Sequence, residues 1–181
     1  MQNIRDIKLS DEDFIRMTRY CNAGDNGEDN RRRAIALGFD NPDVLIAPGA
    51  IVRLSPEGSI GNNVFIGLYT YVNGAVTIKE NAMIGPHCSL PAGQHKFDPA
   101  TGWFSARTEQ DGDDSIVIGE GSWLCSNVTI TPGVKVGRAN LICAGAVVTR
   151  STSDYAIIAG IPARQVGHID PSSGEYHWYK S

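Results

Sequence analysis

The chain has 181 residues, a formal net charge of -4 at pH 7 and a sequence pI of about 5.5. This length favours one principal domain, and an acidic chain without a basic stripe is unlike a protein whose main partner is nucleic acid. No apolar run approaches the ~20 residues of a membrane span, and the N-terminus lacks the apolar core of a signal peptide. The four cysteines have no zinc-like spacing. Composition therefore predicts a cytoplasmic protein with reduced thiols and no metal.

The N-terminal part of the sequence has helical character. Ser10 is suited to cap a helix that starts with three acidic residues, whose charges favour a helix N-terminus. Residues 24–29, with the sequence GDNGED, interrupt this helix, and residues 30–37 follow as a second short helix. The basic run at residues 31–33 fits a solvated helix face better than a binding patch. These elements predict a helical segment over residues 1–45.

A six-residue repeat dominates residues 60–95 and 118–153. The first position of every block is aliphatic, and the residues are Ile60, Ile66, Val72, Ile78, Ile84, Leu90, Ile118, Leu124, Ile130, Val136, Ile142 and Val148. The fifth position is usually small, with Gln94 and Asn140 as exceptions. Glycine often stands second, at positions 61, 67, 85, 119 and 137. A period of six fits neither a helix nor an alternating strand and is typical of a β-solenoid of hexapeptide repeats.

The period also predicts how the solenoid packs. Each block supplies a short strand and a corner, and three blocks close one triangular coil. The aliphatic residue points inward and stacks on the residue eighteen positions further on, as Ile60 does on Ile78 and Ile66 on Ile84. Coils stack at the ~4.8 Å spacing of neighbouring strands, the small residue fits near the corner, and glycine eases the bend. Because no coil buries its apolar face alone, stability comes from stacking.

Two stretches leave the repeat. Residues 96–117 interrupt it, and an excursion of this length inside a compact domain is usually either functional or disordered. It carries Phe97, Trp103 and Phe104, for which we expect contact with another subunit or a ligand. Beyond the last repeat, the sequence is expected to close the open end of the solenoid. The aromatic tail over residues 168–181 is expected to dock on a surface, for example that of a neighbouring subunit.

Several motifs together resemble the hexapeptide-repeat acetyltransferases, a family that includes galactoside and maltose O-acetyltransferases. The motifs are VTIKENAMIGPHCSLPAGQH at residues 76–95, IGEGSWLCSNVTITPGVKVG at 118–137, ICAGAVVTR at 142–150 and AGIPAR at 159–164. The resemblance covers residues 46–167. It implies an all-β fold, a left-handed parallel β-helix, and a homotrimer that binds acetyl-CoA in the groove between adjacent subunits.

The same resemblance implies roles for single residues. His95 matches the family's catalytic histidine, which stands just before the excursion. Trp123 matches a tryptophan at the rim of the active site. The positions whose backbone contacts the pantetheine arm of CoA correspond to Ser126 and Ala144. Residues near the nucleotide end of CoA correspond to Thr149, Arg150 and, in the closing GIPAR motif, Arg164.

The acceptor half of the site departs from the family pattern. Where the sugar acetyltransferases carry an asparagine that binds the acceptor, this chain reads IGLYTYVNG, with Tyr69 and Asn73 as candidate substitutes. The family's N-terminal helical motif is not evident in residues 1–40. The sequence HKFD at residues 95–98 is also similar to the His-Arg-x-Asp motif of the xenobiotic acetyltransferases. The acceptor therefore stays open between a sugar hydroxyl and the amine of an amino sugar or antibiotic.

The implied reaction needs a base. A thioester is already electrophilic, but a sugar hydroxyl is a poor nucleophile at neutral pH. A neutral imidazole can take the hydroxyl proton as attack proceeds, and backbone N–H groups near Ser126 can stabilise the oxyanion. Asp98 or a backbone carbonyl is expected to orient the imidazole of His95.

We therefore predict a cytoplasmic, homotrimeric, acetyl-CoA-dependent O-acetyltransferase of a sugar or sugar-like small molecule. Its acyltransferase domain spans residues 46–167, followed by the tail. The alternatives are an acetyltransferase of amino sugars or antibiotics, a non-catalytic scaffold, and a zinc carbonic anhydrase built on the same solenoid. The last needs three converging histidines, whereas the repeats carry only His87 and His95.

Overall fold

Two helices precede the solenoid in a computed structural model that describes residues 10–105 and 113–180, with the backbone alone for residues 20–23. They are α1 (Asp11–Ala23) and α2 (Gly27–Ala36). The predicted cap of α1 is confirmed, since the Asp13 N–H donates to the Ser10 hydroxyl at 3.1 Å. Helix α2 begins three residues earlier than predicted because Asn26 caps it: the Asn26 side-chain oxygen accepts the Asp29 N–H at 3.0 Å. The predicted helical segment includes residues 1–9, which lie outside the described residues.

The basic run on α2 is only partly a solvated face. Arg33 donates to the Ile46 carbonyl at 3.0 Å, and Arg31 donates to the Asp40 carbonyl at 2.9 Å. These contacts join the helix to the first coil, where the carbonyl groups at the coil entrance need donors. Arg32 alone matches the prediction, being exposed and paired with Asp29 at 3.2 Å.

The strands follow the repeat through successive coils. The first two coils contain β1 (Leu45–Ile46), β2 (Ile51–Leu54), β3 (Ser59–Ile60), β4 (Phe65–Ile66), β5 (Tyr71–Gly74) and β6 (Val76–Ile78). The third coil and its excursion contain β7 (Met83–Ile84), β8 (Ser89–Pro91), β9 (Phe97–Asp98), β10 (Trp103–Phe104) and β11 (Ile116–Ile118). The last two coils contain β12 (Trp123–Leu124), β13 (Thr129–Ile130), β14 (Lys135–Val136), β15 (Leu141–Ile142) and β16 (Val147–Val148).

Three parallel sheets form the walls of the solenoid. Wall 1 contains β1, β4, β7, β12 and β15; wall 2 contains β2, β5, β8, β13 and β16; wall 3 contains β3, β6, β11 and β14. The chain turns from wall 1 to wall 2 at the 1–2 edge and from wall 2 to wall 3 at the 2–3 edge. It returns from wall 3 to wall 1 at the 3–1 edge. The predicted parallel β-solenoid is therefore confirmed. Within the described residues, no helix is long and apolar enough to cross a membrane.

The aliphatic first positions fill the interior. All twelve are at most 6% exposed. The expected eighteen-residue stacking is confirmed, because Ile60 pairs in register with Ile78 and Ile66 with Ile84. Fully burying such a side chain contributes roughly 1.5–3 kcal/mol, so this aliphatic column is the main source of stability.

The bends lie at the fourth position of the repeat, which the sequence analysis did not identify. Residues with a left-handed backbone at this position include Asn63, Tyr69, Asn81, His87, Asn127 and Ala139. The glycines of the second position do not have positive φ; they permit close approach of coils instead. A Cβ added to Gly119 would lie 2.2 Å from the Gly137 carbonyl oxygen. The prediction that these glycines ease the bend was therefore wrong.

The excursion leaves after β8 and contains the antiparallel hairpin β9–β10. The coil resumes two residues earlier than the repeat suggested, since β11 pairs with β6 through Ile116 and Val76. The excursion includes residues 106–112, which lie outside the described residues.

The C-terminal region closes the last coil. Strand β17 (Ala156–Gly160) pairs in parallel with β15, and β18 (Ala163–Ile169) and β19 (Tyr176–Trp178) follow in antiparallel order. The predicted closure is thus present. The aromatic tail was expected to dock on a surface, for example that of a neighbouring subunit. Its strand β19 pairs instead with β18 of the same chain.

Candidate active site

His95 lies at the 2–3 edge, four residues after the end of β8. Its ring is exposed, and its Nδ1 atom is 2.8 Å from the Ser105 carbonyl oxygen. A carbonyl oxygen can only accept a hydrogen bond, so Nδ1 carries the proton and the neutral ring has its lone pair on Nε2. The arrangement provides an oriented imidazole whose other nitrogen can accept a proton.

The hairpin β9–β10 holds the carbonyl that orients His95. The Ser105 N–H donates to the Lys96 carbonyl at 2.8 Å, and Phe97 packs edge-on against Phe104 with ring centroids 5.7 Å apart. Of the two orienting groups considered, the backbone carbonyl is the one that contacts the imidazole.

The side chain of Asp98 stabilises the turn of the hairpin by hydrogen bonding. Its carboxylate accepts the Ala100 N–H at 2.9 Å and the Thr101 hydroxyl at 3.1 Å. Trp103, at 66% exposure, presents its ring on the same hairpin. Trp103, Phe97 and Phe104 all remain largely exposed, so the excursion has an apolar surface beside His95.

Trp123, matched to the rim of the site, and the two residues matched to the pantetheine arm lie elsewhere on the solenoid. Trp123 lies on wall 1 and is 45% exposed. Ser126 and Ala144 occupy equivalent positions at the 1–2 edge of adjacent coils, and the Gly145 N–H donates to the Ser126 carbonyl at 3.0 Å. The N–H groups of Cys125 and Asn127 are used in the same way by the coils beside them. These two groups are therefore not oxyanion donors, which leaves the Ser126 N–H as the candidate.

A basic cleft lies beyond the last coil. Arg150 and Arg164 both line a cavity of about 180 Å³ that also includes Thr152 and Gln165. Thr149 directly precedes Arg150, and both are exposed at the 2–3 edge. Two guanidinium groups in one cleft suit the bidentate binding of phosphate oxygens.

One chain does not bring all the predicted site residues together. His95, Thr149 and Arg150 lie at the 2–3 edge, whereas Trp123 and Ser126 lie on wall 1 and at the 1–2 edge. The two groups are separated by the width of a wall. A site that includes both groups needs a second copy of the chain.

The two acceptor candidates differ in what they contact. Tyr69 is 59% exposed and stacks on His87, with ring centroids 5.4 Å apart and an interplanar angle of 17°. Its ring covers Gly49, where an added Cβ would lie 2.4 Å from a ring carbon. Asn73 lies on β5, and its backbone carbonyl accepts the Ala92 N–H at 2.8 Å. The stacked pair was missed, although both rings occupy the fourth position of blocks eighteen residues apart.

Cysteines line the 1–2 edge. Burial raises the pKa of the Cys88 thiol to about 11, and its sulfur donates to the Cys125 carbonyl at 3.1 Å. Burial also raises the pKa of Cys125 and of Cys143. Cys88 is 1% exposed and packs as a small side chain at the fifth position of its block. Among residues 10–105 and 113–180, no group of three His, Cys, Asp or Glu side chains is arranged to hold a metal ion.

Comparison with known proteins shows what the repeats resemble. The family model described as bacterial transferase hexapeptide (six repeats) matches residues 58–92 and 115–150, the blocks on either side of the excursion. The chain carries the hexapeptide repeats of this transferase family. Galactoside O-acetyltransferase from Escherichia coli strain K12 is 29% identical over 128 residues, which are 66% of this chain and 61% of that protein. This hexapeptide-repeat chain thus spans about six tenths of that relative's length.

Solved structures share the fold of this hexapeptide-repeat protein. A maltose O-acetyltransferase from Clostridium difficile 630 has a TM-score of 0.60 at 21% identity, over 88% of this chain and 90% of that one. A galactoside acetyltransferase in complex with coenzyme A has a TM-score of 0.51 at 23% identity, over 92% and 86%. At these identities the similarity shows the fold alone.

Proposed function

We propose that the protein is an acetyl-CoA-dependent O-acetyltransferase that acts on a hydroxyl of a sugar or sugar-like small molecule. The observation that carries the proposal is the imidazole of His95, whose Nδ1 is bonded to the Ser105 carbonyl at 2.8 Å. This bond leaves Nε2 as the proton acceptor at the start of the excursion. The relative in E. coli is a galactoside O-acetyltransferase and one fold neighbour is a maltose O-acetyltransferase, which supports the class of acceptor.

The reaction follows from that tautomer. Nε2 takes the proton of the acceptor hydroxyl while the oxygen attacks the thioester carbonyl carbon. The Ser126 N–H stabilises the oxyanion of the tetrahedral intermediate. When the intermediate collapses, the C–S bond breaks, and the imidazolium of His95 returns the proton to the leaving thiolate. The Ser105 carbonyl keeps the ring in one orientation through both transfers.

The co-substrate is proposed to lie in the groove between two subunits, with its pantetheine arm along the 1–2 edge of one subunit and its nucleotide end at the 2–3 edge of the other. Trp123 lies at the rim of the site, and Ser126 and Ala144 line the path of the pantetheine arm. Thr149, Arg150 and Arg164 bind the nucleotide end, where the two guanidinium groups in the cleft neutralise phosphate charge. A fold neighbour was solved in complex with coenzyme A, which supports this choice of co-substrate.

A homotrimer is proposed as the active form. The 2–3 edge of one copy would face wall 1 and the 1–2 edge of the next, so that His95 of one subunit meets Trp123 and Ser126 of another. Three-fold closure uses the same two surfaces at every contact. The separation of the two groups within one chain supports this assembly.

The test is an acetyl-transfer assay with a panel of sugars and amino sugars, in which release of the CoA thiol reports turnover. His95→Asn is expected to lower kcat by about 10²–10⁴, the usual contribution of a general base. His168→Asn, a matched change of an exposed histidine on β18, is expected to leave kcat unchanged. Full turnover by His95→Asn would refute the assigned mechanism. Alkaline hydroxylamine cleaves an ester product and spares an amide, which distinguishes O- from N-acetylation.

Mixing two inactive variants tests the assembly. His95→Ala and Trp123→Ala damage opposite sides of the proposed interface. Refolding them together should restore turnover, because some interfaces then carry both native residues. A mixture as inactive as its parts would contradict a site shared between subunits.

A further inference from the structure

The two ends of the excursion are tied together at its neck, which we define as Gln94 on the departing side and residues 113–115 on the returning side. The Gln94 side-chain amide donates to the Asp114 carboxylate at 2.9 Å. The Gly133 N–H of the next coil donates to the Asp114 carbonyl at 3.0 Å. Gln94 is one of the two exceptions to the small residues usual at this repeat position, and this bond explains it.

Lys135 holds the returning side of the neck. From β14, its ammonium contacts the Asp113 carboxylate at 3.0 Å and the Ser115 carbonyl at 2.7 Å, and it also bonds the Ser115 hydroxyl. The Lys135 side chain is 37% exposed. Hydrogen bonds from the Ser115 hydroxyl and from Lys135 lower the pKa of Asp113 to about 2, so this carboxylate is ionised at neutral pH.

The backbone of Lys135 reaches the predicted nucleotide-binding cleft. Its N–H donates to the Ser151 hydroxyl at 2.9 Å, and its carbonyl accepts the Thr152 N–H at 3.0 Å. Ser151 follows Arg150 directly and lines the same cleft. A single residue therefore contacts both the neck of the excursion and the segment that carries Arg150.

His95 stands between two fixed points. Gln94, the preceding residue, is held by Asp114, and the ring itself is held by the Ser105 carbonyl at 2.8 Å. The hairpin alone cannot fix the ring relative to the coils, because it would move with the excursion. The neck is what relates the excursion to the coils.

We propose that Lys135 is a positioning residue that fixes the neck of the excursion and thereby the place of His95 relative to the coils. This inference rests on the proposed function. Displacing a catalytic group by ~1 Å can cost about 10²-fold in rate, which sets the scale of the expected effect.

The test compares Lys135→Met, Lys135→Arg and Asp114→Asn with the wild type. Lys135→Met is expected to lower kcat by about 10- to 100-fold and to leave the KM for acetyl-CoA and the unfolding midpoint close to their original values. Lys135→Arg and Asp114→Asn should retain most activity, since arginine can still donate to the neck and the asparagine oxygen can still accept from Gln94. Arg138→Ala is the matched control, because it removes a contact with Glu120 at 3.5 Å elsewhere on the coils.

A readout without turnover separates this inference from the proposed function. Hydrogen exchange at the amides of residues 96–105 should become faster in Lys135→Met and stay unchanged in Arg138→Ala. A wild type that transfers acetyl to no acceptor refutes the proposed function, and faster exchange in that case still supports the positioning. Native kcat in Lys135→Met overturns the inference. A loss of kcat that follows a lowered unfolding midpoint and is not rescued by Lys135→Arg overturns it as well.

Discussion

The buried side chain of Asn140 tests how the fifth position of the repeat is used. This residue is 2% exposed and is an exception to the small side chains usual at that position. Its amide nitrogen donates to the carbonyls of Arg138 at 3.0 Å and Ser153 at 2.8 Å, and its oxygen accepts the Thr152 hydroxyl at 2.7 Å. Asn140→Ala removes all three hydrogen bonds of this almost fully buried side chain at a corner.

The expected loss in the free energy of unfolding follows from these three hydrogen bonds. A net contribution of about 0.5–1.5 kcal/mol for each hydrogen bond gives a loss of roughly 2–4 kcal/mol in the free energy of unfolding. For a chain of 150–250 residues, each kcal/mol shifts Tm by about 2–4 °C, so Tm should fall by roughly 5–15 °C. The corner also joins the fourth coil to the segment after Arg150, so unfolding should start there.

Chemical denaturation followed by circular dichroism measures this loss, with calorimetry for Tm. Asn62→Ala is the matched control, because Asn62 is exposed and its backbone carbonyl keeps its bond to the Asn81 N–H. The control is expected to change stability by less than about 0.5 kcal/mol. If Asn140→Ala and Asn62→Ala unfold at the same denaturant concentration, the reasoning about the buried polar corner is wrong.

Three further predictions concern ligand binding, thiols and pH. Arg150→Ala should weaken CoA binding by about tenfold in calorimetry, the loss of one charged hydrogen bond, and the binding of pantetheine, which carries no phosphate, should be affected less; equal losses would contradict the assignment to a phosphate. Because burial raises the pKa of Cys88 to about 11, iodoacetamide at pH 8 should label the half-buried Cys125 in the native protein before Cys88, as peptide mapping would show; equal rates would argue against the burial. The pKa of Asp113 is lowered from 3.8 to about 2, so its stabilising contacts are present above pH 3.8 and are lost as pH falls towards 2. Hydrogen exchange at the neck, corrected for intrinsic rates, should therefore stay constant as pH falls from 8 to about 4, and a rise centred near pH 3.8 would contradict the lowered pKa.

The solenoid could be predicted because its period is set by stacking. An inward aliphatic residue must recur wherever a strand faces the axis, so the sequence reveals the walls and their register, as the pairing of Ile66 with Ile84 shows. The bends were harder to find. A left-handed residue is recognisable when it is glycine or asparagine, but Tyr69 and His87 occupy the same position and gave no such signal.

The details outside the repeat depend on contacts that have no period. The interactions of Arg33 and Lys135 depend on which carbonyls and carboxylates meet them from distant parts of the chain, 13 residues away for the Ile46 carbonyl and 20 for the Ser115 carbonyl. The orientation of His95 depends on a carbonyl ten residues further on. The sequence predicted Asp98 or a backbone carbonyl as the partner of the imidazole, but it did not identify the Ser105 carbonyl.

Because β11 returns in register, the excursion can change in evolution without any change in the coils. Because Ile116 and Ile118 pair with Val76 and Ile78, the coils above continue as if the chain had never departed. Lengthening such a detour costs only about 0.6 kcal/mol for each doubling. One excursion can therefore be replaced by another while the aliphatic column stays the same. Proteins of this architecture can in this way acquire new acceptors and keep the same solenoid.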